Sequence, residues 1–121
     1  MRRKAGTLVP LEVAICEAAT QLRGDGVEEF HGYLIAKQVG EAREARLLTA
    51  YGTLYRALGR LEKMGVLESR WEDPQIPARE NRPGRRLYRL TAAGDAALAA
   101  ARQAAGRADG IRKPRERLAP A

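Results

Sequence analysis

The chain has 121 residues, 45% of them hydrophobic and 31% charged, which is the composition of one globular domain and excludes a fibrous or disordered chain. The formal net charge of +7 favours a polyanionic partner such as nucleic acid, and the single cysteine, Cys16, excludes an internal disulfide. No apolar run approaches the roughly 18 residues that span a membrane, and Glu12 and Glu17 interrupt the apolar run near the start. We therefore expect neither a membrane helix nor a signal peptide, and we expect a cytoplasmic protein.

Apolar residues recur at three- and four-residue steps in the first part of the chain, which predicts an amphipathic helix over residues 10–23. This apolar face consists of Leu8, Leu11, Ile15, Ala18 and Leu22. The glycines at 24 and 26 end the helix, and a shorter helical pattern follows from His31 to Ala42.

A third helix is predicted from its capping residues. Thr49 is its expected N-cap, and Gly65 ends it because glycine readily adopts the left-handed conformation at a helix C-terminus. Its apolar stripe consists of Leu54, Ala57, Leu58 and Leu61. The first turn departs from an ordinary surface helix, which would carry Glu and Lys there. It holds instead Tyr51, Gly52, Thr53 and Tyr55.

Two segments with a period of two, at residues 66–72 and 85–90, predict the strands of a β-hairpin. The segment 73–84 between them has three prolines, so we expect an irregular loop at the hairpin tip. Thr91 is the predicted N-cap of an alanine-rich fourth helix, and residues 109–121 are expected to form a basic flexible tail. The chain is thus predicted to be mainly α with a small β-hairpin. Its element order is that of a winged helix-turn-helix domain over residues 1–108, with helices at both ends.

Three segments together resemble the PadR family of bacterial transcription regulators. They read HGYLIAKQV from His31, GTLYRALGRLEKMGVLESRWE from Gly52, and RRLYRLTAAG from Arg85 to Gly94. The resemblance implies a homodimeric repressor whose terminal helices build the dimer, with small-molecule effectors bound there in some members. The single helix after the hairpin is similar to the short form of the family.

A recognition helix reads base edges with its N-terminal residues, so we predict DNA contacts from the start of the third helix. The predicted residues are Thr49, Tyr51, Gly52, Thr53, Tyr55, Arg56 and Arg60. Arg56 is the leading candidate for contact with a guanine or a phosphate. Three arginines of the hairpin, Arg82, Arg85 and Arg86, are predicted to enter a minor groove or to lie on the DNA backbone. The alternative interpretation makes the tyrosines packing residues and the arginines solvated charges.

Dimerisation is predicted because so small a winged domain is not expected to bury the apolar face of its first helix alone. The residues expected at the dimer interface are Leu8, Leu11, Ile15, Leu22 and, from the other copy, Leu98. His31 is expected to form a hydrogen bond at a helix start, and Trp71 to pack in the core or at a dimer edge.

The predicted function is that of a dimeric, sequence-specific DNA-binding transcriptional repressor acting on palindromic double-stranded DNA, with an effector that releases it. The sequence has no Ser/His/Asp cluster, phosphate-binding glycine loop or metal-ligand spacing, so we expect no enzyme activity, cofactor or metal. The alternative function is a winged-helix protein-interaction module whose basic faces are incidental. Salt-dependent DNA binding separates the two.

Overall fold

The computed structural model describes residues 7–40 and 51–112, with Tyr51 and the last six of these residues described by their backbone alone. The elements in chain order are α1 (Pro10–Gly24), α2 (Gly32–Gly40), α3 (Tyr51–Lys63), β1 (Leu67–Trp71), α4 (Gln75–Arg79), β2 (Arg86–Leu90) and α5 (Ala92–Arg112). The predicted arrangement of three helices, a hairpin and a final helix is confirmed. The predicted cap Thr49 and residues 113–121 of the predicted tail lie outside the described residues.

Glycines end α1 and α3 in the same way. Gly26 and Gly65 have positive φ angles of 91° and 79°, as the residue after a helix end often does. The next residue then bonds back into the last turn: the Val66 N–H donates to the Leu61 carbonyl at 2.9 Å. The predicted stop at Gly65 is therefore confirmed.

Thr91 joins the end of the hairpin to α5. Its Oγ1 accepts a hydrogen bond from the Gly94 N–H at 3.0 Å, as an N-cap does, and donates to the Gly65 carbonyl at 2.6 Å. A side chain at Gly94 would overlap the Val66 carbonyl oxygen, so the first turn of α5 packs directly on the connection between α3 and β1. The predicted N-cap is confirmed.

The hairpin pairs β1 and β2 antiparallel, with Leu67 opposite Leu90 and Trp71 opposite Arg86. Phe30, just before α2, adds an isolated bridge: its N–H donates to the Tyr88 carbonyl at 3.0 Å, and the Tyr88 N–H donates back at 2.8 Å. This bridge fastens the start of α2 to the hairpin.

The segment predicted as an irregular loop contains a short helix, α4, so that prediction is wrong in part. Pro77 lies in its first turn, where a backbone N–H has no partner within the helix and proline is therefore tolerated. The Asp73 carboxylate accepts a hydrogen bond from the Gln75 N–H at 3.0 Å and supports that turn.

One apolar core unites all the long elements, and its members include the five leucine and isoleucine residues predicted for the dimer interface. Leu8, Leu11, Ile15, Leu22 and Leu98 are each at most 9% exposed in the single chain. The expectation that the domain leaves this face unburied is wrong, because α2, α3 and the start of α5 cover it. Within the described residues, none of the helices combines the length and apolarity that crossing a membrane requires.

Candidate nucleic-acid interface

The two sides of α3 differ completely in exposure. The predicted stripe of Leu54, Ala57, Leu58 and Leu61 is fully buried. On the opposite side Gly52, Tyr55 and Arg56 are exposed and Thr53 is partly exposed. Arg56 Nη2 lies 3.5 Å from Thr53 Oγ1, so the two polar groups share one turn of the helix.

The start of α2 fits closely against this turn. A methyl carbon added at Gly32 would lie 2.6 Å from Cζ of Tyr55, so only glycine allows the tyrosine ring to rest there. His31 caps α2, because its Nδ1 accepts a hydrogen bond from the Leu34 N–H at 3.3 Å, which confirms the prediction of a helix-start hydrogen bond. Burial lowers the pKa of His31, and the nearby positive charges of Arg85 and Arg82 lower it further, which favours the neutral ring that can accept this bond.

A cleft of about 440 Å³ lies between the start of α2, the exposed turn of α3 and the hairpin. We call it the aromatic cleft, and its walls include His31, Tyr33, Tyr55, Trp71, Arg85 and Arg86. Among the described side chains, four large hydrophobic ones are exposed, and three of them line this cleft: Tyr33 at 62%, Tyr55 at 49% and Trp71 at 63%. Exposed aromatic rings beside arginines suit a sugar–phosphate backbone, because the rings cover sugars or bases while the guanidinium groups bind phosphate.

Trp71 and Arg86 stand together on the hairpin. The Arg86 guanidinium carbon lies 5.5 Å from the centroid of the Trp71 ring, within the range of a cation–π contact. Arg86 Nε also donates to Ser69 Oγ at 3.0 Å, and Ser69 donates in turn to the Glu62 carboxylate at 2.7 Å. Arg86 therefore links β2 to the end of α3. The prediction of Trp71 as a core residue is wrong.

Arg82 holds the hairpin tip from within. It donates to both carboxylate oxygens of Glu72, at 2.7 and 3.0 Å, and to Glu80 at 2.6 Å. Hydrogen bonds from Arg82 hold the pKa of Glu72 below its usual value. The side chain of Arg82 is only 17% exposed. Its guanidinium is thus occupied by two carboxylates, whereas no described residue pairs with the exposed guanidinium of Arg85.

Arg60 likewise has a partner within the protein. Its Nε donates at 3.0 Å to the carboxylate of Glu12, a buried residue of α1. The predicted DNA-contact residues therefore divide. Tyr55, Arg85 and Arg86 line the aromatic cleft beside the turn that carries Gly52, Thr53 and Arg56. Arg60 and Arg82 bind carboxylates, and Arg86 also lies 3.4 Å from the Glu62 carboxylate.

Sequence reasoning missed the contribution of Tyr33 and Trp71 to this surface. Leu67, Ser69 and Trp71 lie on one face of β1, but only Leu67 is buried, because the strand runs out beyond the core toward the hairpin tip. The length of the hairpin loop was the available signal, since a long tip carries the end of the strand away from the helices.

Residues 26–100 match the sequence profile of the transcriptional regulator PadR-like family. The solved structure of a PadR-like transcription factor from Bacteroides fragilis is similar to this chain, with a TM-score of 0.65, 26% identity, and coverage of 85% of this chain and 86% of the other. A PadR family transcription regulator from Clostridium difficile R20291 gives a TM-score of 0.63 at 26% identity, covering 89% of this chain and 96% of the other. One from Eggerthella lenta gives 0.59 at 27% identity, covering 85% of each chain. No curated protein matches the chain significantly.

Proposed function

Because the chain belongs to the PadR-like family of transcriptional regulators and is accordingly a DNA-binding regulator, we propose that it binds a two-fold-related operator as a homodimer and represses transcription. The observation that carries this proposal is the aromatic cleft: three exposed aromatic rings and two arginines lie beside the exposed first turn of α3.

In the proposed complex the first turn of α3 enters a major groove. Thr53 and Arg56 then face base edges or phosphates, since the N-terminal residues of a recognition helix read the bases. The hairpin follows the adjacent strand of DNA. The sugar–phosphate backbone runs through the aromatic cleft, where the Tyr33 and Tyr55 rings cover the sugars and the exposed Arg85 guanidinium binds a phosphate.

The homodimer requires a surface other than the buried leucines. The last helix, α5, has 21 residues, and its side chains from Arg102 to Gly106 are all exposed. At 1.5 Å per residue the helix is about 31 Å long and extends well past the core of its own chain. We propose that this distal half packs on a second copy and holds the two α3 helices about 34–36 Å apart, one turn of DNA. Light scattering that shows only monomer at micromolar concentration contradicts this part.

Repression follows if the operator overlaps a promoter, because the bound dimer then excludes RNA polymerase. Release by a small molecule requires a ligand that binds the DNA-free form more tightly than the DNA-bound form. A reporter gene placed behind the operator measures both effects. Repression must depend on the protein, and expression must return when the ligand is added.

The decisive experiment is a salt titration of DNA binding. A duplex is first selected from random sequences with the purified protein, and its dissociation constant is measured at several salt concentrations beside a scrambled duplex. We expect specific binding. The logarithm of the association constant should fall linearly with the logarithm of the salt concentration, because phosphate contacts release counterions. Failure to enrich any sequence, together with salt-independent binding, favours the protein-interaction module instead.

A further inference from the structure

Glu12 of α1 is the only charged residue among the described ones that has no exposure to solvent. One carboxylate oxygen accepts a hydrogen bond from the Val9 N–H at 3.1 Å, and the other accepts from Arg60 Nε at 3.0 Å. A carboxylate away from water is stable only when charged or polar partners replace the lost hydration. Glu12 therefore ties the beginning of α1 to the last turn of α3.

Helix α1 is also connected to the last helix. Arg23 lies 2.7 Å from Asp95 at the start of α5, and Arg102, further along α5, lies 3.5 Å from Glu17. These two pairs are partly exposed, and such pairs contribute little to stability. The contact between Glu12 and Arg60 differs from them because its carboxylate is buried.

The position of Arg60 on α3 connects this contact to the predicted DNA-contact residues of the helix. Thr53, Arg56 and Arg60 follow one another at steps of three and four residues, so they lie along one side of the helix. Fixing the guanidinium of Arg60 against α1 thereby adds a polar restraint on the rotation of α3 about its own axis, beside the restraint from its buried apolar stripe. That rotation decides where Thr53 and Arg56 point.

We infer that Glu12 is a positioning residue for DNA binding: through Arg60 it sets the orientation of the recognition helix without touching DNA. This inference rests on the proposed function. It assigns the half-exposed Arg60 side chain to a contact within the protein rather than with the operator, and it makes α1 the element through which the position of α5 reaches α3.

Glu12→Gln is the first test, and Glu17→Gln is its matched control. Both substitutions remove one negative charge from α1, but the partner of Glu17 lies on α5. On the selected duplex, we expect Glu12→Gln to raise the dissociation constant between about 2-fold and about 30-fold, the range for residues that couple distant sites. The slope of log K against the logarithm of the salt concentration should stay unchanged. An equal effect of the two substitutions on folded proteins overturns the inference.

Arg60→Gln separates positioning from direct contact. If Arg60 only positions α3, the salt slope stays unchanged, and the double variant Glu12→Gln/Arg60→Gln is no weaker than either single variant. A slope lower by about 0.9 shows that Arg60 binds a phosphate itself, which overturns the inference. Circular dichroism checks folding at the assay temperature. If a single variant does not fold, the double variant replaces it, because that variant removes both charges of the Glu12–Arg60 pair. It should then show the same weakening with the slope unchanged.

A measurement without DNA distinguishes the failure of this inference from the failure of the proposed function. In the free protein, Glu12→Gln should shift the NMR signals of the Arg60 Nε–H and of the Thr53 and Arg56 amides, and Glu17→Gln should leave them in place. If Glu12→Gln does not shift these signals, the positioning role is overturned even when the unaltered protein binds DNA well. If the signals shift but the unaltered protein binds no DNA, Glu12 still positions α3, and DNA is rejected as the target of that helix.

Discussion

Gly32→Ala tests whether the fit of α2 against Tyr55 serves DNA binding. The new methyl group would lie 2.6 Å from the Tyr55 Cζ, so the ring must swing away from its place at the edge of the aromatic cleft. Moving a side chain off its preferred rotamer costs about 0.5–1.5 kcal/mol, and replacing a helical glycine by alanine gains about 0.5–1 kcal/mol. These effects nearly cancel, so the free energy of unfolding should change by less than about 1 kcal/mol.

The expected effect on DNA binding is larger. A hydrogen bond from the Tyr55 hydroxyl to a phosphate would contribute about 1.5–3 kcal/mol, so its loss should raise the dissociation constant roughly 10- to 150-fold. Tyr55→Phe removes only the hydroxyl and should give a similar loss. The double variant should be no weaker than Gly32→Ala alone, because both substitutions remove the same contact.

The control is Gly59→Ala, the same exchange in α3 at a position where an added methyl group meets no atom within 4 Å. It should raise the free energy of unfolding by about 0.5–1 kcal/mol and leave DNA affinity unchanged. Fluorescence anisotropy on the selected duplex and urea unfolding give the two quantities. Gly32→Ala protein that binds DNA as tightly as the unaltered chain would refute the role of this fit.

Four further predictions concern charged and titratable groups. Arg56→Ala should cost about 1–3 kcal/mol of binding and relax preference at one base pair; a uniform loss on all sequences would make Arg56 a phosphate contact. Arg85→Ala should lower the slope of log K against log salt by about 0.9, and an unchanged slope would remove Arg85 from the interface. Deletion of the residues after Asp109 should weaken specific and non-specific binding together, and a change in sequence preference would contradict that expectation. His31 has a lowered pKa in the folded chain, so unfolded protein binds more protons near the ordinary value of 6.5; stability should fall as pH drops below that value, and His31→Asn should remove this dependence in urea unfolding.

The sequence by itself determined the elements whose causes are local. The buried stripe of α3 follows from helical periodicity, and Gly65 ends that helix because its backbone needs a positive φ angle. Thr91 caps α5 through a bond to an N–H three residues away. Each of these features depends on neighbours within one or two turns, so the order of residues was sufficient to predict it.

The tertiary structure alone decided which distant residues meet. Arg60 and Arg82 have the same chemistry as Arg85, but a carboxylate on α1 binds Arg60 and a carboxylate at the hairpin tip binds Arg82, whereas Arg85 stays exposed. The aromatic cleft likewise joins three separate segments of the chain, since α2, α3 and the hairpin each contribute a ring. Burial of the apolar face of α1 depends on how completely the other helices cover it. Periodicity shows that such a face exists, but only the packed chain shows what covers it.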